Sequence, residues 1–90
     1  MKYRKNEAKE AAKQMLRGVW TALPTIFTQD DKIDEKGNAA NLETCVTGLK
    51  LDGHYCIGNV GEFWAMTNEE RMRVVEINVD TLKGRIPLIA

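Results

Sequence analysis

The N-terminal part of the chain alternates small apolar residues with charged ones. The apolar positions recur every three to four residues, at Ala8, Ala11, Ala12, Met15 and Leu16. This spacing is that of one face of an α-helix, so the sequence predicts an amphipathic helix over residues 5–16. The period then changes, because residues 18–23 form a short, partly β-branched apolar run that Pro24 stops. Such a run is typical of a buried strand.

After a polar loop, the pattern predicts a second helix over residues 35–50. Asp34 is a suitable residue for capping the N terminus of this helix. The apolar residues that we expect to form its buried stripe are Leu42, Cys45, Val46 and Leu49. A turn at Asp52 and Gly53 then leads into a second apolar run, residues 54–57. We interpret this run as a second buried strand.

The last third of the chain repeats this order. Thr67 and Glu70 have the spacing of a capping box, in which each side chain accepts a hydrogen bond from the backbone of the other residue. We expect the helix that follows to end near Lys83 and Gly84, because glycine suits a left-handed C-terminal cap. Its predicted apolar stripe consists of Met72, Val75, Val79 and Leu82. Residues 86–90 form the third apolar run.

The predicted order is therefore a helix followed by β-α-β-α-β. Strands that start near residues 18, 54 and 86 are spaced as successive βα units, which build parallel sheets with right-handed crossovers. The fold class is α/β, with residues 1–17 as an amphipathic helical extension and residues 18–90 as the β-α-β-α-β part. The third strand has neither a partner beyond it nor a covering helix. We therefore expect a fragment of a longer fold.

The charge pattern excludes several classes of protein. The chain of 90 residues carries 13 basic and 13 acidic side chains, and a neutral chain is a poor general binder of nucleic acid. Residues 1–17 contain six basic and two acidic side chains and so carry +4, which leaves −4 for the remainder. No apolar stretch reaches the roughly 18 residues that a transmembrane helix needs. Cys45 and Cys56 lack metal-site spacing, so we expect buried, reduced thiols in a cytoplasmic protein.

Five segments share their residues and spacing with one enzyme family. They are 18–23 with Thr25 and Phe27, Ile33-Asp34, Gly58-x-x-Gly61-Glu62-Phe63, residues 66–71 and residues 84–90. Together they resemble the N-terminal part of the dihydrodipicolinate synthase and N-acetylneuraminate lyase family, over about four-fifths of the chain. Members of this family are class I aldolases built as (β/α)8 TIM barrels. The resemblance implies that residues 18–90 are the first three strands and two helices of such a barrel.

The resemblance also implies pyruvate chemistry. Family members form a Schiff base between a lysine and the ketone of pyruvate or another 2-oxo acid, and the iminium serves as an electron sink. In the family this lysine lies on the sixth strand and the catalytic tyrosine on the fourth, and these 90 residues contain neither strand. We therefore expect no catalytic residue in this chain, no cofactor and no metal. The parent protein is expected to be a homo-oligomer acting on a small 2-oxo acid such as pyruvate.

The loop over residues 58–62 follows the second strand, at the end of a barrel that carries the active site. Its glycines let the backbone approach a ligand, and consecutive N–H groups can bind a carboxylate. In well-known family members the two residues between the glycines carry hydroxyls, one relaying protons and one binding the carboxylate. Here Asn59 occupies the proton-relay position and Val60 follows it. An amide cannot relay a proton as a hydroxyl does, which favours a different 2-oxo acid or a weakened site. The predicted substrate-binding residues are Asn59, Val60 and Gly61, with Ala22 as a pocket wall by family position.

Several interpretations stay open. We expect the side chain of Glu62 to orient the loop by hydrogen bonding rather than to act as a base, and His54 to have a structural role. Phe63 and Trp64 line either a subunit contact or the mouth of the site. The alternative function is that of a non-catalytic, half-barrel-like fragment that works by assembling with itself or with a partner. A third possibility is a small carboxylate-binding module that uses the loop over residues 58–62.

Overall fold

The computed structural model describes residues 3–90 and has an α/β fold with a three-stranded parallel sheet. The helices are α1 (Ala8–Met15), α2 (Glu35–Thr47) and α3 (Asn68–Leu82). The strands are β1 (Trp20–Thr21), β2 (Gly53–Tyr55) and β3 (Leu88–Ile89), and single 3-10 turns cover Lys5–Glu7 and Phe63–Ala65. The strand order is β1-β2-β3 with parallel pairing throughout. The predicted fold class, a short helix followed by β-α-β-α-β, is confirmed.

The sequence predicts N-terminal caps for α2 and α3, and both caps are present. The Asp34 carboxylate accepts a hydrogen bond from the Gly37 backbone N–H at 2.9 Å. At the start of α3, the Glu70 N–H donates to the Thr67 hydroxyl at 3.2 Å, and the Thr67 N–H donates to the Glu70 carboxylate at 2.9 Å. These caps depend only on residues three positions apart, and this is why the local sequence is sufficient to predict them.

The end of α2 differs from the prediction. The helix ends at Thr47 rather than at residue 50, and Lys50 has a left-handed backbone conformation with φ of 52°. The Leu51 N–H closes this end by donating to the Cys45 carbonyl at 3.1 Å. Leu49 therefore lies beyond the helix and is 65% exposed. Its predicted place in the buried stripe is wrong, because the chain leaves the helix axis before reaching it.

The buried face of α3 also differs from the prediction. Met72 and Val79 are 64% and 54% exposed, so the predicted stripe is wrong at these two positions. The residues that α3 does bury are Val74, Ile77, Asn78 and Leu82. The polar Asn78 belongs to this row because its amide donates to the Val74 carbonyl at 2.7 Å. A buried polar residue interrupts the apolar period and so conceals the true face from a hydrophobic pattern.

The strands are shorter than the apolar runs that predict them. β1 contains only Trp20 and Thr21, whereas the run covers residues 18–23. Helices α2 and α3 cover one face of the sheet, and the core beneath them contains the free thiols of Cys45 and Cys56, both buried as predicted. The burial of both thiols follows from their place in apolar runs.

His54, on the central strand, faces the covered side and is 2% exposed. Its Nδ1 lies 3.2 Å from the Thr21 carbonyl oxygen. Burial is the largest influence on its pKa and lowers it, while the hydrogen bonds to Thr21 and Asn78 oppose this change. The imidazole is thus a core group between β2 and α3, consistent with the structural role that we expect for it.

The N-terminal helix is separate from this core. The predicted helix over residues 5–16 consists of a 3-10 turn followed by α1, and α1 buries none of its residues. Residues 1 and 2 lie outside the described part of the chain. The boundary between residues 17 and 18, which divides the extension from the β-α-β-α-β part, stays a prediction.

Candidate functional site

The loop after β2 is a tight turn whose shape depends on Gly61. Ile57 and Glu62, on either side of the turn, have φ of 48° and 58°, a left-handed conformation that is costly for a β-branched residue such as Ile57. A Cβ atom at position 61 would lie 3.0 Å from both the backbone N and the Cα of Ile57. The Glu62 N–H closes the turn by donating to the Asn59 carbonyl at 3.1 Å. Only glycine fits position 61 without moving the backbone.

A buried hydroxyl from the first loop anchors this turn. The Thr25 Oγ1 donates to the Gly61 carbonyl oxygen at 2.6 Å, and Thr25 is 7% exposed. The bond joins the segment after β1 to the segment after β2, and so fixes the loop relative to the sheet. From the sequence, Thr25 stands out only as part of a shared motif, and its role as an anchor is not predicted. The available signal is a hydroxyl directly after Pro24, at the end of an apolar run.

A groove of about 400 Å³ lies beside the loop, on the face of the sheet away from the helices. Its lining consists of Ala22, Tyr55, Ile57, Gly58, Asn59, Val60 and Phe63. Three of the four predicted binding residues, Ala22, Asn59 and Val60, are therefore brought together. Gly61 is buried and does not line the groove; its backbone supports the turn instead.

The backbone of the loop offers hydrogen-bond donors to a ligand. Within residues 3–90, the N–H groups of residues 58–61 have no hydrogen-bond acceptor. Asn59 and Val60 are exposed, so solvent or a ligand can reach this part of the chain. Successive unpaired N–H groups in a turn form a partial positive charge that suits a carboxylate. The loop can therefore hold an anion without a basic side chain.

Tyr55 completes the floor of the groove. A Cβ atom at Gly58 would lie 2.4 Å from Cε1 of Tyr55 and 2.9 Å from its hydroxyl oxygen, so the ring lies directly against Gly58. Tyr55 is 44% exposed. The signal in the sequence is strand alternation, because the neighbouring His54 faces the core and Tyr55 must then face the other side.

Phe63 lies at the mouth of the groove, and its partners hold it in place. Its ring makes an edge-to-face contact with Trp64, with the ring centroids 5.6 Å apart. The Arg71 guanidinium lies 5.5 Å from the centre of the Phe63 ring, and its Nε donates to the Phe63 carbonyl at 2.9 Å. Trp64 is exposed and does not line the groove. Phe63 therefore lines the groove, and a subunit contact by this pair stays a prediction.

Glu62 acts through its backbone. Its N–H and its carbonyl oxygen bond to Asn59 and Ala65, respectively. Its carboxylate makes no hydrogen bond with any residue in 3–90. The expected anchoring of the loop by this side chain is therefore wrong. The backbone turn and the Thr25 hydroxyl anchor the loop instead.

Burial shifts the pKa values of two groups on and next to the central strand. Burial raises the pKa of the Cys56 thiol to about 11, so it is protonated at neutral pH. Burial lowers the pKa of His54, which faces away from the groove. No cluster of three or more His, Cys, Asp or Glu side chains with the geometry of a metal site occurs in residues 3–90. None of the helices in this range is long and apolar enough to span a membrane.

Comparison with known proteins agrees with this geometry. The sequence profile of the Dihydrodipicolinate synthetase family matches residues 15–90. The chain belongs to this family. It is 35% identical over 75 residues to an N-acetylneuraminate lyase of Clostridium perfringens, and equally so to a 4-hydroxy-tetrahydrodipicolinate synthase of Methanothermobacter thermautotrophicus. Each match covers 83% of this chain and 26% of the relative. The chain therefore spans about a quarter of the length of these curated relatives.

Solved structures give the same assignment. The N-acetylneuraminate lyase of Fusobacterium nucleatum matches with a TM-score of 0.77 and 33% identity, over 80% of this chain and 25% of the lyase. The same lyase in a complex with pyruvate matches with a TM-score of 0.75 over 24% of its length. These neighbours are TIM-barrel aldolases, so the β-α-β-α-β fold of this family member is that of a portion of the (β/α)8 barrel.

Proposed function

We propose that this chain supplies the carboxylate-binding loop of a Schiff-base-forming lyase that acts on pyruvate or another 2-oxo acid. The observation that carries the proposal is the row of backbone N–H groups of residues 58–60, because these residues line the groove and their N–H groups have no acceptor within residues 3–90. The pyruvate complex of a lyase that is 33% identical to this chain supports the ligand class. The loop would bind the carboxylate, and Ala22 would form a wall of the pocket.

The proposed reaction needs an amine from elsewhere in the parent protein. A lysine amine of the parent protein would add to the ketone of a 4-hydroxy-2-oxo acid, with loss of water. The bond between C3 and C4 then breaks: its electron pair passes to the iminium to form an enamine, the C4 hydroxyl proton passes to a base of the parent protein, and the C4 fragment leaves as an aldehyde. The family resemblance puts this lysine, and the catalytic tyrosine, on strands other than the three described here. In this chain the Asn59 amide would orient the bound acid through hydrogen bonds, without transferring a proton.

The experiment is an NMR titration of the isotope-labelled chain with pyruvate. The amide signals of residues 58–61 are expected to shift, whereas methyl pyruvate, which lacks the negative charge, shifts them far less. Asn59→Asp is expected to weaken pyruvate binding at least tenfold, because it adds a like charge beside the carboxylate. Asn6→Asp is the matched control, since Asn6 is exposed and lies in the N-terminal 3-10 turn. Pyruvate shifts confined to other residues contradict the proposed site.

Borohydride trapping tests the absence of the nucleophile. Pyruvate and borohydride are expected to leave this chain of 90 residues unmodified and to label the parent protein on a lysine. An adduct on any lysine of this chain would overturn the assignment of roles, because it would put the amine in this chain rather than elsewhere in the parent protein. The mass of the intact chain before and after treatment provides the readout.

The open face of the sheet supports a second proposal, assembly without catalysis. Tyr55 and Ile89 lie in register on neighbouring strands and are 44% and 42% exposed. A sheet face with such residues is a surface on which another chain can pack. Light scattering after size-exclusion chromatography tests it. A folded oligomer of fixed size favours assembly, and a monomer at all concentrations contradicts self-assembly.

A further inference from the structure

One amide side chain holds the segment that follows β1 against helix α2. Asn38, half-buried near the start of α2, accepts a hydrogen bond from the Ile26 backbone N–H at 3.0 Å through its Oδ1. Its Nδ2 donates to the Ile26 carbonyl at 2.9 Å and to the Asp34 carbonyl at 2.7 Å. A single side chain therefore binds both polar groups of the Ile26 backbone.

These bonds explain why an asparagine lies within this helix. Asparagine has a low helix propensity, because its amide competes for backbone hydrogen bonds. The amide carries an acceptor and two donor hydrogens, which match a backbone N–H and two backbone carbonyls. An apolar residue at position 38 would favour the helix equally well or better but would leave the Ile26 N–H without this acceptor.

The Ile26 backbone is the point at which the first loop meets α2. Within this loop, Phe27 pairs with Ile33 in an isolated antiparallel bridge, and the Thr28 N–H donates to the Lys32 carbonyl at 2.7 Å. Those bonds close residues 27–33 on themselves. The bonds to Ile26, from Asn38 and from the Asp34 N–H at 2.9 Å, attach this loop to the helix.

The residue before Ile26 is the one that anchors the loop over residues 58–62. Thr25 is 7% exposed, and its hydroxyl donates to the Gly61 carbonyl at 2.6 Å. The hydroxyl can hold that carbonyl in one place only if the backbone that carries it is itself fixed. On one side of Thr25 the ring of Pro24 restricts the backbone, and on the other side Asn38 binds Ile26. Hydrogen bonds thus connect α2 to the loop through two residues.

We propose that Asn38 is a positioning residue for the loop over residues 58–62, and that it acts through the Ile26 backbone and the Thr25 hydroxyl. This inference rests on the proposed function in one respect, since that loop carries the proposed carboxylate site. Its structural part needs no ligand: loss of the Asn38 amide displaces the Thr25 hydroxyl and, with it, the Gly61 carbonyl. Every contact in this series joins two residues of the described chain.

The first test replaces the amide by an apolar group of the same branched shape. In Asn38→Leu the backbone amide NMR signals of Ile26 and of residues 58–61 are expected to shift. Pyruvate affinity is expected to fall about fivefold, because a loosened loop must be ordered when the ligand binds. Asn41→Leu is the matched control: Asn41 lines the same small cavity between the sheet and the helices but is not bonded to Ile26. Equal shifts of residues 58–61 in both variants, or in neither, overturn the proposal.

Asn38→Asp provides a second variant whose hydrogen bonding can be restored. At pH 7 its carboxylate still accepts from the Ile26 N–H but repels the Ile26 and Asp34 carbonyl oxygens, whereas the protonated acid supplies a donor. The signals of residues 58–61 are therefore expected to be displaced at pH 7. At about pH 4 they should return part of the way to those of the unchanged chain at the same pH. No return in Asn38→Asp, or an equal return in Asn41→Asp, contradicts positioning by hydrogen bonds.

A double variant tests the route through Thr25. Asn38→Leu and Thr25→Val break the same series of hydrogen bonds, so their effects on the loop are expected not to add. Introducing Asn38→Leu into Thr25→Val should then shift residues 58–61 little further, although the Ile26 signal still moves. Additive shifts of residues 58–61 would mean that Asn38 reaches the loop by another route and would overturn the proposal.

Measurements with and without pyruvate separate this inference from the proposed function. If Asn38→Leu moves the signals of residues 58–61 but pyruvate shifts none of them in the unchanged chain, the carboxylate site is wrong and the structural link stands. If pyruvate binds at the loop and Asn38→Leu changes neither its signals nor the affinity, the positioning role is wrong and the carboxylate site stands. Loop signals that move without a change in pyruvate affinity overturn the claim that Asn38 positions the binding groups.

Discussion

The two faces of the central strand have opposite environments. On β2, His54 points toward α2 and α3 and is 2% exposed, whereas the next residue, Tyr55, points to the open face and is 44% exposed. The neighbouring strand β3 shows the same difference in exposure. His54 pairs with the half-buried Leu88, and Tyr55 pairs with the exposed Ile89. Successive side chains of a strand alternate between faces, so a single strand serves two purposes. The covered face provides stability, and the open face provides the groove.

The largest expected effect comes from removing packing on the covered side. Leu42 of α2 is 2% exposed, and Leu42→Ala deletes buried methyl groups and leaves a cavity, at a cost of about 3 kcal/mol in the free energy of unfolding. Leu49→Ala deletes the same atoms at a site that is 65% exposed, and we expect a cost below about 0.5 kcal/mol. Urea denaturation followed by circular dichroism measures both values. Similar costs for the two variants contradict the distinction between covered and exposed positions.

A smaller loss of stability is expected at the hydrogen bond that anchors the loop of residues 58–62 to the segment after β1. Thr25→Val removes the hydroxyl that donates to the Gly61 carbonyl and leaves that buried oxygen unpaired, at a cost of about 1–2 kcal/mol. Thr47→Val is the matched control, because Thr47 is exposed and water replaces its bond to the Glu43 carbonyl. The amide signals of residues 58–61 should move in Thr25→Val and stay in place in Thr47→Val. Unchanged loop signals in Thr25→Val would show that the turn holds its shape without this anchor.

The features that the sequence predicts correctly are those that local chemistry determines. The caps at Asp34 and Thr67 are correct, because a capping side chain and its backbone partner are three residues apart. The parallel β-α-β-α-β order is correct, because apolar residues are spaced differently in the strands and in the helices along the chain. The structure also brings Asn59 and Val60, which lie between the two glycines, into the lining of one groove, and their binding role stays a prediction.

The features that the sequence does not predict depend on contacts between distant segments. The buried row of α3 includes Asn78, whose polarity hides it from an apolar pattern, and its neighbour His54 is 24 positions away. Thr25 and Gly61 are 36 positions apart, so only the folded chain reveals their hydrogen bond. The place of Tyr55 in the groove lining similarly becomes visible only when its ring is seen against Gly58. Local patterns therefore predict elements better than the surfaces they share.

The buried His54 on the covered face is expected to make stability depend on pH. Burial lowers its pKa below the ordinary value of 6.5, so the unfolded chain takes up a proton more readily than the folded chain. Its contribution is complete above about pH 6.5, declines as the pH falls toward the pKa of the folded state, and then levels off. The pKa values of Glu35 and Glu43 are lowered from 4.5 by bonds to Arg73 and Arg85, so their contribution is lost only at more acidic pH.

Urea denaturation at a series of pH values between about 7 and 5 measures this dependence, with His54→Asn as the comparison. The variant is expected to be less stable overall but to have a flatter profile in this range, because the amide does not titrate. A profile of the unchanged chain that rises as the pH falls would mean that His54 gains a favourable partner on protonation. A second series below about pH 4.5 is expected to show the same decline in both proteins, because protonation of Glu35 and Glu43 contributes to it and neither carboxylate is changed.

The smallest expected effect is on the open face. Ile89→Thr keeps a β-branched side chain in β3 and removes hydrocarbon from a position that is 42% exposed, so we expect a change within about 0.5 kcal/mol in the dilute chain. Repeating the denaturation at higher protein concentration sharpens the comparison of the two faces, because a contact between copies through the open face would raise the stability of the unchanged chain. Ile89→Thr would then remove that gain. If Ile89→Thr costs as much as Leu42→Ala at high dilution, the open face contributes to the core. If the free energy of unfolding of the unchanged chain does not depend on protein concentration, the open face is left with the groove as its only role.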